Sequence, residues 1–415
     1  MSQTNLPKNF PAYLIVAHSG RMLAEAACQN RSDAIGVKIA VIDLFGDDDL
    51  DQFVVSKAKL PSDAQAAEIC DAASAMLAHL SPFQALTVVF GSLDLYDAPI
   101  QQILTEFLSD GAAEKSVKLR FLGNDARTRN QASDIRHILR VMDRYGAKFA
   151  LAVPPTQFSS PDQAAHPPKT WLRKPLHRHG GGYGINWAEE STETPAHDYY
   201  WQKYIAGRVF GVNFVVSHPG NVTLLGLVEN FTDPTQAQPM RWGGVAGWMN
   251  LGKNISHDDT LPAACRAVNW PEICRIFAGE FGLLGLNGMD ILATETGEIF
   301  VLEINPRPTA ALGLWRNHQR ILWRLHSGEA LCQEMTSTEQ IAPNYGRAKA
   351  ILYAEQPINI VENFAWPSIR PPKGSVHANY EIIDRPPLVP IAAGQPICTI
   401  MTTDATPKRA WQQAL

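Results

Sequence analysis

Residues 287–308, NGMDILATETGEIFVLEINPRP, decide the predicted fold. Two apolar runs, MDIL and IFVLEIN, lie on either side of a turn at Gly297, which is typical of a β-hairpin. Because side chains alternate between the two faces of a strand, Glu303 and Asn305 lie on the same face. The hairpin therefore presents two oxygen-bearing side chains together, in a segment that is otherwise mostly apolar.

A further carboxylate belongs to this face. If Thr296 and Gly297 form a two-residue loop, Asp290 pairs directly with Glu303, and any loop with an even number of residues keeps it on that face. Opposed carboxylates in a sheet repel each other, so the pair is costly unless a cation lies between them. Oxygen ligands of this kind suit Mg²⁺, which binds through a few carboxylates together with substrate phosphates. The alternative, a solvated polar face on an edge hairpin, is disfavoured by the apolar neighbours.

A second unusual stretch is residues 171–185, WLRKPLHRHGGGYGI. Bare glycine backbone lets N–H groups approach phosphate oxygens, and Lys174 places a compact positive charge beside them. The segment lacks the GxxxxGK[ST] pattern of a P-loop. Taken alone, it is explained equally well as a flexible surface hairpin with incidental basic residues. Arg307, just after the acidic hairpin, has a planar guanidinium that suits a carboxylate or a phosphate.

Length and composition limit the class of protein. A chain of 415 residues with 45% apolar and 19% charged residues predicts a globular protein of about two to four structural units. A net charge of -5 argues against a general nucleic-acid binder, and the apolar segments are too short to span a bilayer. The N-terminus lacks the pattern of a secretory signal. The cysteines lack metal-ligand spacing, which favours free thiols in a reducing cytoplasm. They are Cys28, Cys70, Cys265, Cys274, Cys332 and Cys398.

The rest of the chain divides into recognisable regions. Strand-like runs at 13–17, 37–45 and 85–92 alternate with helical spans, which predicts a parallel sheet of the nucleotide-binding type. A dehydrogenase with Asp43 on a ribose is one interpretation of this region, but the GxGxxG fingerprint is missing. A proline-rich connection follows at 152–170. From about residue 346, strand-like pieces separated by prolines predict a small β-rich unit.

A lysine-bearing glycine loop followed by an Asp/Glu/Asn hairpin resembles the ATP-grasp superfamily. The resemblance is carried by LRKPLHRHGGGYGI, YWQKYIAGRVFGVNFVV, GLLGLNGMDIL and VLEINPRP, and it extends over roughly residues 120–312. It implies an α/β protein with the ATP-grasp fold, in which two α+β subdomains grip ATP, and with flanking units. The domains implied are an N-terminal Rossmann-like unit (1–122), an ATP-grasp domain with its lid near 174–185 (123–330), and a C-terminal β-rich domain (331–415).

The resemblance also implies roles for individual residues. Lys174 would hold the α- and β-phosphates of ATP and take part in catalysis, and Arg307 would face the transferred phosphoryl group or the acid substrate. Mg²⁺, or Mn²⁺ in its place, would be carried by Asp290, Glu303 and Asn305. The mobile lid would be formed by Gly180, Gly181, Gly182 and Gly184. The linker that lines the adenine would contain Gln202, Lys203, Tyr204 and Ile205.

Two positions depart from the family pattern. A lysine is common at the start of the helix after the first unit, where this chain has Ile135 in SDIRHIL. A glutamate is common just after the hinge, where this chain has the segment 209–211, VFG. A degenerate member that binds nucleotide without turnover is therefore an alternative. The complete set of acidic and amide ligands argues against it.

The chemistry implied is phosphorylation of a substrate carboxylate by ATP, followed by capture of the acyl phosphate by an amine to give an amide. The nearest likeness is to ligases that join glutamate to an amine or amino acid in the biosynthesis of furan-type one-carbon cofactors. A phosphotransferase or a carboxylase-like enzyme is the runner-up. Small-molecule acids and amines would be the partners, without nucleic acid or membrane, and homodimers are frequent among relatives.

The acceptor region is expected at residues 231–250. There Arg241 is a candidate ligand for an acid, and Trp242 for an aromatic ring. An equally good interpretation makes Trp242 and Trp248 core aromatics on a glycine-rich strand. In the glycine loop, His177 and His179 are proton-transfer candidates, although solvated histidines explain them more simply.

Overall fold

The computed structural model describes residues 11–29, 37–115, 117–161, 167–176, 182, 184–190, 198–233, 240–249, 251, 258–329, 345–362, 364–367 and 379–415. Within these ranges, no helix is both long enough and apolar enough to cross a membrane. The cysteines that fall inside the ranges are free thiols, and Cys332 lies outside them.

The strands are β1 (Pro11–Val16), β2 (Lys38–Asp43), β3 (Ser56–Lys59), β4 (Ala85–Phe90), β5 (Lys118–Leu122), β6 (Leu151–Ala152), β7 (Thr156–Gln157), β8 (Trp171–Pro175), β9 (Asn186–Trp187), β10 (Tyr199–Lys203), β11 (Arg208–His218), β12 (Asn221–Thr232), β13 (Trp242–Trp248), β14 (Gly285–Ala293), β15 (Ile299–Asn305), β16 (Gly346–Tyr353), β17 (Asn379–Ile383) and β18 (Pro396–Asp404). The α-helices are α1 (Arg21–Gln29), α2 (Ala66–Leu80), α3 (Ile100–Lys115), α4 (Ala126–Ser133), α5 (Ile135–Phe149), α6 (Ala263–Ala267), α7 (Trp270–Phe281), α8 (Gln319–His326) and α9 (Pro407–Ala414). Short 3-10 helices span Asp48–Gln52, Ala188–Glu190 and Ala310–His318.

The N-terminal sheet is parallel, with strand order β3-β2-β1-β4-β5. Strand β1 is buried along almost its whole length because residues on both of its faces belong to apolar cores. The α/β fold and the parallel sheet predicted for this region are confirmed. The carboxyl ends of β1, β2 and β4 lie next to one another at one edge, which is where open α/β sheets place ligand-binding residues.

The remaining strands form two sheets. The smaller has the order β7-β10-β8-β9, and it carries the lysine of the predicted glycine loop. The larger has the order β17-β18-β16-β13-β12-β11-β14-β15-β6. Helix α7 packs on the larger sheet and buries Trp270, Ile273 and Phe277 in its core. The helix begins at an Asn269 cap and ends at Gly282, whose φ of 66° suits glycine.

The C-terminal strands continue the central sheet, because β16 pairs with β13 in antiparallel register. The predicted β-rich unit is therefore joined by backbone hydrogen bonds to the domain before it. The boundaries at 122/123 and 330/331 stay predictions, and the second of them borders residues outside the described ranges.

Strand β13, WGGVAGW, needs its glycines for close packing. A Cβ on Gly244 would overlap the carbonyl oxygen of Lys349 on the neighbouring strand and would meet the ring of Trp411. A Cβ on Gly247 would lie 2.6 Å from a methyl group of Val228. Gly244 thus lets β16 and α9 lie close to β13, and Gly247 leaves space for Val228 of β12. Trp411 also stacks on Phe231, with 4.0 Å between the ring centroids.

We predict that Gly244→Ala lowers the free energy of unfolding by about 1–3 kcal/mol, because the added methyl group has no space between a backbone oxygen and a ring. The matched control is Gly279→Ala in α7, where an added Cβ meets nothing within 4 Å. That change should raise stability by about 0.5–1 kcal/mol, since alanine favours the helix. Thermal unfolding of both variants tests this, and equal melting temperatures would contradict the packing argument.

Candidate functional site

The acidic hairpin is formed by β14 and β15, and Asp290 pairs directly with Glu303 as the sequence predicts. The predicted two-residue loop is wrong: the last paired residues are Ala293 and Ile299, which leaves a five-residue turn. With an odd number of turn residues alone, Asp290 would not lie directly opposite Glu303. A β-bulge, in which Leu302 is the extra residue, restores this pairing. The opposed carboxylates therefore depend on the bulge together with the turn.

Two amides contact the carboxylate pair. The Asn305 Nδ2 donates to Asp290 Oδ2 at 3.1 Å and to Glu303 Oε1 at 3.4 Å, and the Asn230 Nδ2 donates to Asp290 Oδ1 at 3.3 Å. Burial raises the pKa of Asp290 well above its ordinary value, and the charge and hydrogen bond of Glu303 raise it further. Arg307 and the Asn305 amide oppose this rise. Two ionised carboxylates are therefore unfavourable here without a compensating cation.

The donor set fits a hard cation. Asp290, Glu303 and the amide of Asn305 supply oxygens of the type that Mg²⁺ prefers, and Mg²⁺ usually completes its shell with water and phosphate rather than with protein alone. Within the described residues, no group of three or more His, Cys, Asp or Glu side chains has metal-binding geometry. The protein thus offers two carboxylates and an amide at this place, and the remaining ligands would come from substrate and water.

Lys174 lies on β8, opposite Tyr200 of β10. Its side chain is buried, and Nζ donates to Gln202 Oε1 at 3.2 Å. Burial alone would lower the pKa of Lys174, but Tyr200, Glu303 and Asp290 together raise it above its ordinary value. The structure therefore brings the lysine of the small sheet and the carboxylates of the large sheet within electrostatic range of each other. The charged form of the lysine, which these carboxylates favour, suits an anionic ligand.

The predicted glycine lid is only partly described. Gly180 and Gly181, with His177 and His179, lie outside the described residues. Gly182 and Gly184 have φ angles of 75° and 74°, which glycine adopts readily. A Cβ on Gly182 would overlap the backbone carbonyl of Met240, so the loop lies directly against the start of β13.

The predicted adenine linker joins β10 to β11. Gln202 is buried, and its amide Nε2 donates to Thr156 Oγ1 at 3.2 Å while its oxygen accepts from Lys174. Lys203 and Tyr204 are exposed, and Ile205 is half-buried. The Tyr204 ring meets Trp187 edge-on at 5.3 Å. Gln202 thus faces the lysine, and the next residues lie at the surface between the two sheets.

Arg307 follows the hairpin and is held by the N-terminal unit. Its Nε donates to Asp94 Oδ2 at 2.9 Å, and Ser92 Oγ donates to the same oxygen at 2.7 Å. Asp94 lies beyond the carboxyl end of β4. The guanidinium is thereby fixed beside Asp290 and Glu303, and its remaining donors are available to an anionic ligand.

Arg241 lies elsewhere. It is buried in an ion pair with Asp233, donates to the Gly394 carbonyl at 3.0 Å and covers the Tyr353 ring at 3.9 Å from its centroid. Its neighbour Trp242 lines the same cavity as Asp290 and Glu303, and Nε1 of that tryptophan donates to Asn230 Oδ1 at 3.2 Å. The arginine therefore connects β13 to the C-terminal segment, whereas the tryptophan supports the amide that contacts Asp290.

A cavity of about 560 Å³ lies where the N-terminal sheet, the central sheet and the C-terminal segment meet. Asp290, Glu303, Asn305 and Arg307 all line it. Residues at the carboxyl edge of the N-terminal sheet line it as well, among them His18, Phe45 and Gly91. The volume is in the range of ordinary small-molecule sites. The predicted metal residues and Arg307 thus line one cavity, whereas Arg241 does not line it.

The two departures from the family pattern have different surroundings. Ile135 is buried in the core at the start of α5, where Asp134 caps the helix and pairs with the exposed Arg136. Gly211, in the segment 209–211, pairs with Asp290 on the neighbouring strand. A Cβ there would lie 3.4 Å from the Asn230 amide nitrogen, so glycine leaves space beside the carboxylate.

The sequence patterns do not single out Tyr200, Asn230 or Asp94. Tyr200 was detectable, because it lies two residues before Gln202 on the same face of one strand. Asn230, a polar residue in the apolar strand β12, carried a weaker signal. Asp94 reaches Arg307 from a distant part of the chain, and no local pattern indicates that contact.

Comparisons with known proteins agree with this architecture. Residues 143–311 match the family model described as an ATP-grasp domain. The comparison with curated proteins found no match. Among solved structures, biotin carboxylase from Campylobacter jejuni, in a complex with an ATP analogue, has a TM-score of 0.62 at 15% identity, covering 96% of this chain and 89% of that one.

Two further solved structures show the same fold. N5-carboxyaminoimidazole ribonucleotide synthetase from Thermotoga maritima has a TM-score of 0.57 at 14% identity, covering 97% of this chain and 96% of that chain. The biotin carboxylase domain dimer of 2-oxoglutarate carboxylase from Hydrogenobacter thermophilus, with MgADP, ADP and bicarbonate, has a TM-score of 0.63 at 14% identity, covering 96% and 88%. The resemblance to the ATP-grasp superfamily is confirmed, and the chain has an ATP-grasp fold.

We predict that the metal-free protein loses stability as the pH rises above the ordinary pKa of an aspartate, because the raised pKa of Asp290 makes its protonated form the favoured one in the folded state. The stabilising effect is complete below the ordinary pKa of an aspartate and is lost as the pH rises through the folded value. Glu303→Gln removes the opposing charge, so its stability should fall less over the same range. Thermal melts in chelator measure this.

Glu298→Gln, an exposed change in the turn of the same hairpin, is the matched control and should follow the wild type. Added Mg²⁺ should raise the melting temperature of the wild type and of the control at pH 8 more than that of Glu303→Gln. Parallel pH curves for all three proteins would show that the two carboxylates do not interact as the geometry indicates.

Proposed function

We propose that this chain, which carries an ATP-grasp domain at residues 143–311, is an ATP- and Mg²⁺-dependent ligase. It would activate a substrate carboxylate as an acyl phosphate and join it to an amine, with release of ADP and phosphate. The observation that carries the proposal is the opposed pair Asp290 and Glu303, held by Asn305 within electrostatic range of the buried Lys174. A sheet has no structural need for such a pair.

The chain's own residues would bind and orient the nucleotide. Lys174, fixed by Gln202 and kept charged by its neighbours, would hold phosphate oxygens. The backbone of the loop that contains Gly182 and Gly184 would cover the phosphates and limit access of water. Asp290, Glu303 and Asn305 would hold Mg²⁺, which when bound neutralises negative charge on the phosphates.

The acid substrate would be oriented by Arg307. Its guanidinium, held by Asp94, lies beside the carboxylate pair and lines the cavity. The planar fork of an arginine suits a carboxylate, and it also suits the oxygens of a phosphoryl group in transfer. The enclosure of about 560 Å³ has space for an acid and an amine next to these residues.

The finer assignment is glutamate as the acid and an amine or amino acid as the acceptor, on the likeness to ligases of furan-type cofactor biosynthesis. The cytoplasm suits such an enzyme, since ATP is available and thiols such as Cys265 and Cys274 stay reduced there. A homodimer is the proposed assembly, supported by the dimer in the Hydrogenobacter thermophilus structure.

A carboxylase-like reaction is the second candidate. It is favoured by the two carboxylase structures above, which align with 96% of this chain, flanking units included, one of them with bicarbonate bound. In that case bicarbonate would take the place of the acid, and the phosphorylated intermediate would be carboxyphosphate. The same assay separates the two candidates, because only one of them depends on bicarbonate.

We predict substrate-dependent ADP release from the purified protein with Mg²⁺-ATP, glutamate and a panel of amines. Lys174→Met and Glu303→Gln should each lower the rate by about 100- to 1000-fold, since each removes one electrostatic contact to developing charge. A coupled assay of ADP, with mass spectrometry of the product, measures both turnover and the amide.

Matched controls are Lys148→Met and Glu298→Gln, which change exposed residues of the same types. Release of ADP that requires both an acid and an amine supports the ligase, and release that requires bicarbonate supports the carboxylase-like reaction. Binding of ATP without turnover in any combination would contradict both and would favour a non-catalytic nucleotide binder.

A further inference from the structure

The cavity has a second acidic region, at the carboxyl edge of the N-terminal sheet. Asp47 precedes the 3-10 helix Asp48–Gln52 and lines the cavity. Its side chain is 3% exposed, and its Oδ2 has no hydrogen-bond partner. A buried carboxylate oxygen without a donor is costly, so this atom needs an explanation.

The neighbouring carboxylates are satisfied within the protein. Asp43 accepts hydrogen bonds from the backbone N–H groups of Gly20, Phe45 and Gly46, at 2.7–3.2 Å. The bonds from Phe45 and Gly46 close the turn after β2, and the bond from Gly20 joins Asp43 to the segment before α1. Asp43 is therefore a structural acid, and it is fully buried.

Asp49 and Asp384 also have partners. Asp49 accepts from the Arg21 guanidinium at 2.6 Å and from the backbone N–H groups of residues 384 and 385. Asp384 accepts from Thr399 Oγ1 at 2.5 Å, and its Oδ2 lies 3.8 Å from the Lys349 ammonium. Within the described residues of this group, Asp47 is thus the acid whose oxygen is left over.

The electrostatic state of Asp47 favours a cationic ligand. Burial and the charges of Asp384, Asp43 and Asp49 raise the pKa of Asp47 to about 9, although Arg21 opposes the rise. Without a cation beside it, the carboxyl therefore favours its neutral form. A positive charge placed against it would allow it to ionise and would give the unpaired oxygen a donor.

The surrounding walls indicate what kind of cation fits. The C-terminal segment contributes Pro386, Pro387, Val389 and Ile391 to the cavity, and Trp242 and Tyr353 line it too. A metal ion needs several oxygen ligands, and no metal-type cluster of three or more acids or histidines is found in the described part of the chain. An ammonium group on a carbon skeleton suits one unpaired carboxylate beside these apolar side chains, in a cavity that is also lined by Lys59, Lys349 and Asp384.

We propose that Asp47 binds an ammonium group of a substrate. It would do so in the same cavity in which Arg307 and the carboxylate pair face the reacting groups. The proposal rests on the ligase function proposed above and adds a specificity-determining residue to it. The ammonium belongs either to the acid substrate, as the α-ammonium of an amino acid, or to the amine substrate before it reacts. Both sources have the same chemistry at Asp47.

Binding of matched probes tests the proposal without turnover. With Mg²⁺-ADP present, calorimetry on the full-length protein compares glutamate with glutarate, and 2-phenylethylamine with 2-phenylethanol. Each pair differs in an ammonium group. We expect the ammonium-bearing member of at least one pair to bind about tenfold tighter or more, which is the size of one hydrogen bond to a charged group.

Asp47→Asn should abolish this preference, since it keeps the shape and removes the charge. The control is Asp48→Asn, an exposed acid next in the chain, and it should keep the wild-type preference. Because burial favours the neutral form of Asp47 in the free protein, the asparagine variant should melt at or above the wild-type temperature. If that variant nevertheless fails to fold, equal affinity within both probe pairs on the wild-type protein would still overturn the proposal.

The outcomes separate the sources and the two proposals. A preference in the glutamate pair assigns the ammonium to the acid, and a preference in the phenylethyl pair assigns it to the amine. Equal affinity within both pairs, no binding of any probe, or an unchanged preference in Asp47→Asn overturns the proposal. Ammonium preference without ADP release would leave this subsite standing while contradicting the ligase, and ADP release without preference would do the reverse.

Discussion

The repulsion between Asp290 and Glu303 is the constraint on which the site depends. Their strands are held in the interior of a nine-stranded sheet, so the pair cannot separate without loss of backbone hydrogen bonds. Two amides and a nearby lysine partly offset the repulsion, and the raised pKa of Asp290 shows that the offset is incomplete. A cation together with an anionic ligand would offset the remaining repulsion, and a nucleotide with Mg²⁺, as in the proposed function, would supply both.

The position of this pair matters because three parts of the chain meet around it. The segment that follows β5 reaches the hairpin through Asn124, whose side-chain amide donates to the Asn287 side chain and to the Pro306 carbonyl at 2.7 and 2.9 Å. Asp94 adds the ion pair with Arg307. On the other side, backbone pairing joins β16 to β13. The cavity therefore lies between units, and charges in its buried part interact more strongly than in water.

The sequence predicted those features that depend on local patterns. The parallel strands followed from buried apolar runs, and the opposed carboxylates followed from the period of two along a strand. The five-residue turn was not predictable from Thr296 and Gly297, because it is compensated by a bulge at Leu302 that depends on neighbouring strands. The partner of Arg307 was not predictable for a related reason, since Asp94 is 213 residues from Arg307 in the chain. The arrangement of distant elements fixes such contacts, and the local spacing of residues in the sequence does not indicate them.

Arg241 and Asp47 differ in how the fold pairs their buried charges. Arg241, which stays a predicted substrate ligand, is already paired with Asp233, a backbone carbonyl and an aromatic ring. Asp47 had no distinguishing neighbours in a run of acids, yet its buried oxygen has no partner. A buried charge that the fold already pairs contributes to structure, and its removal leaves its partner unsatisfied. A buried polar atom that the fold leaves unpaired is costly in the free protein, and that cost is recovered only when a ligand of complementary charge occupies the cavity.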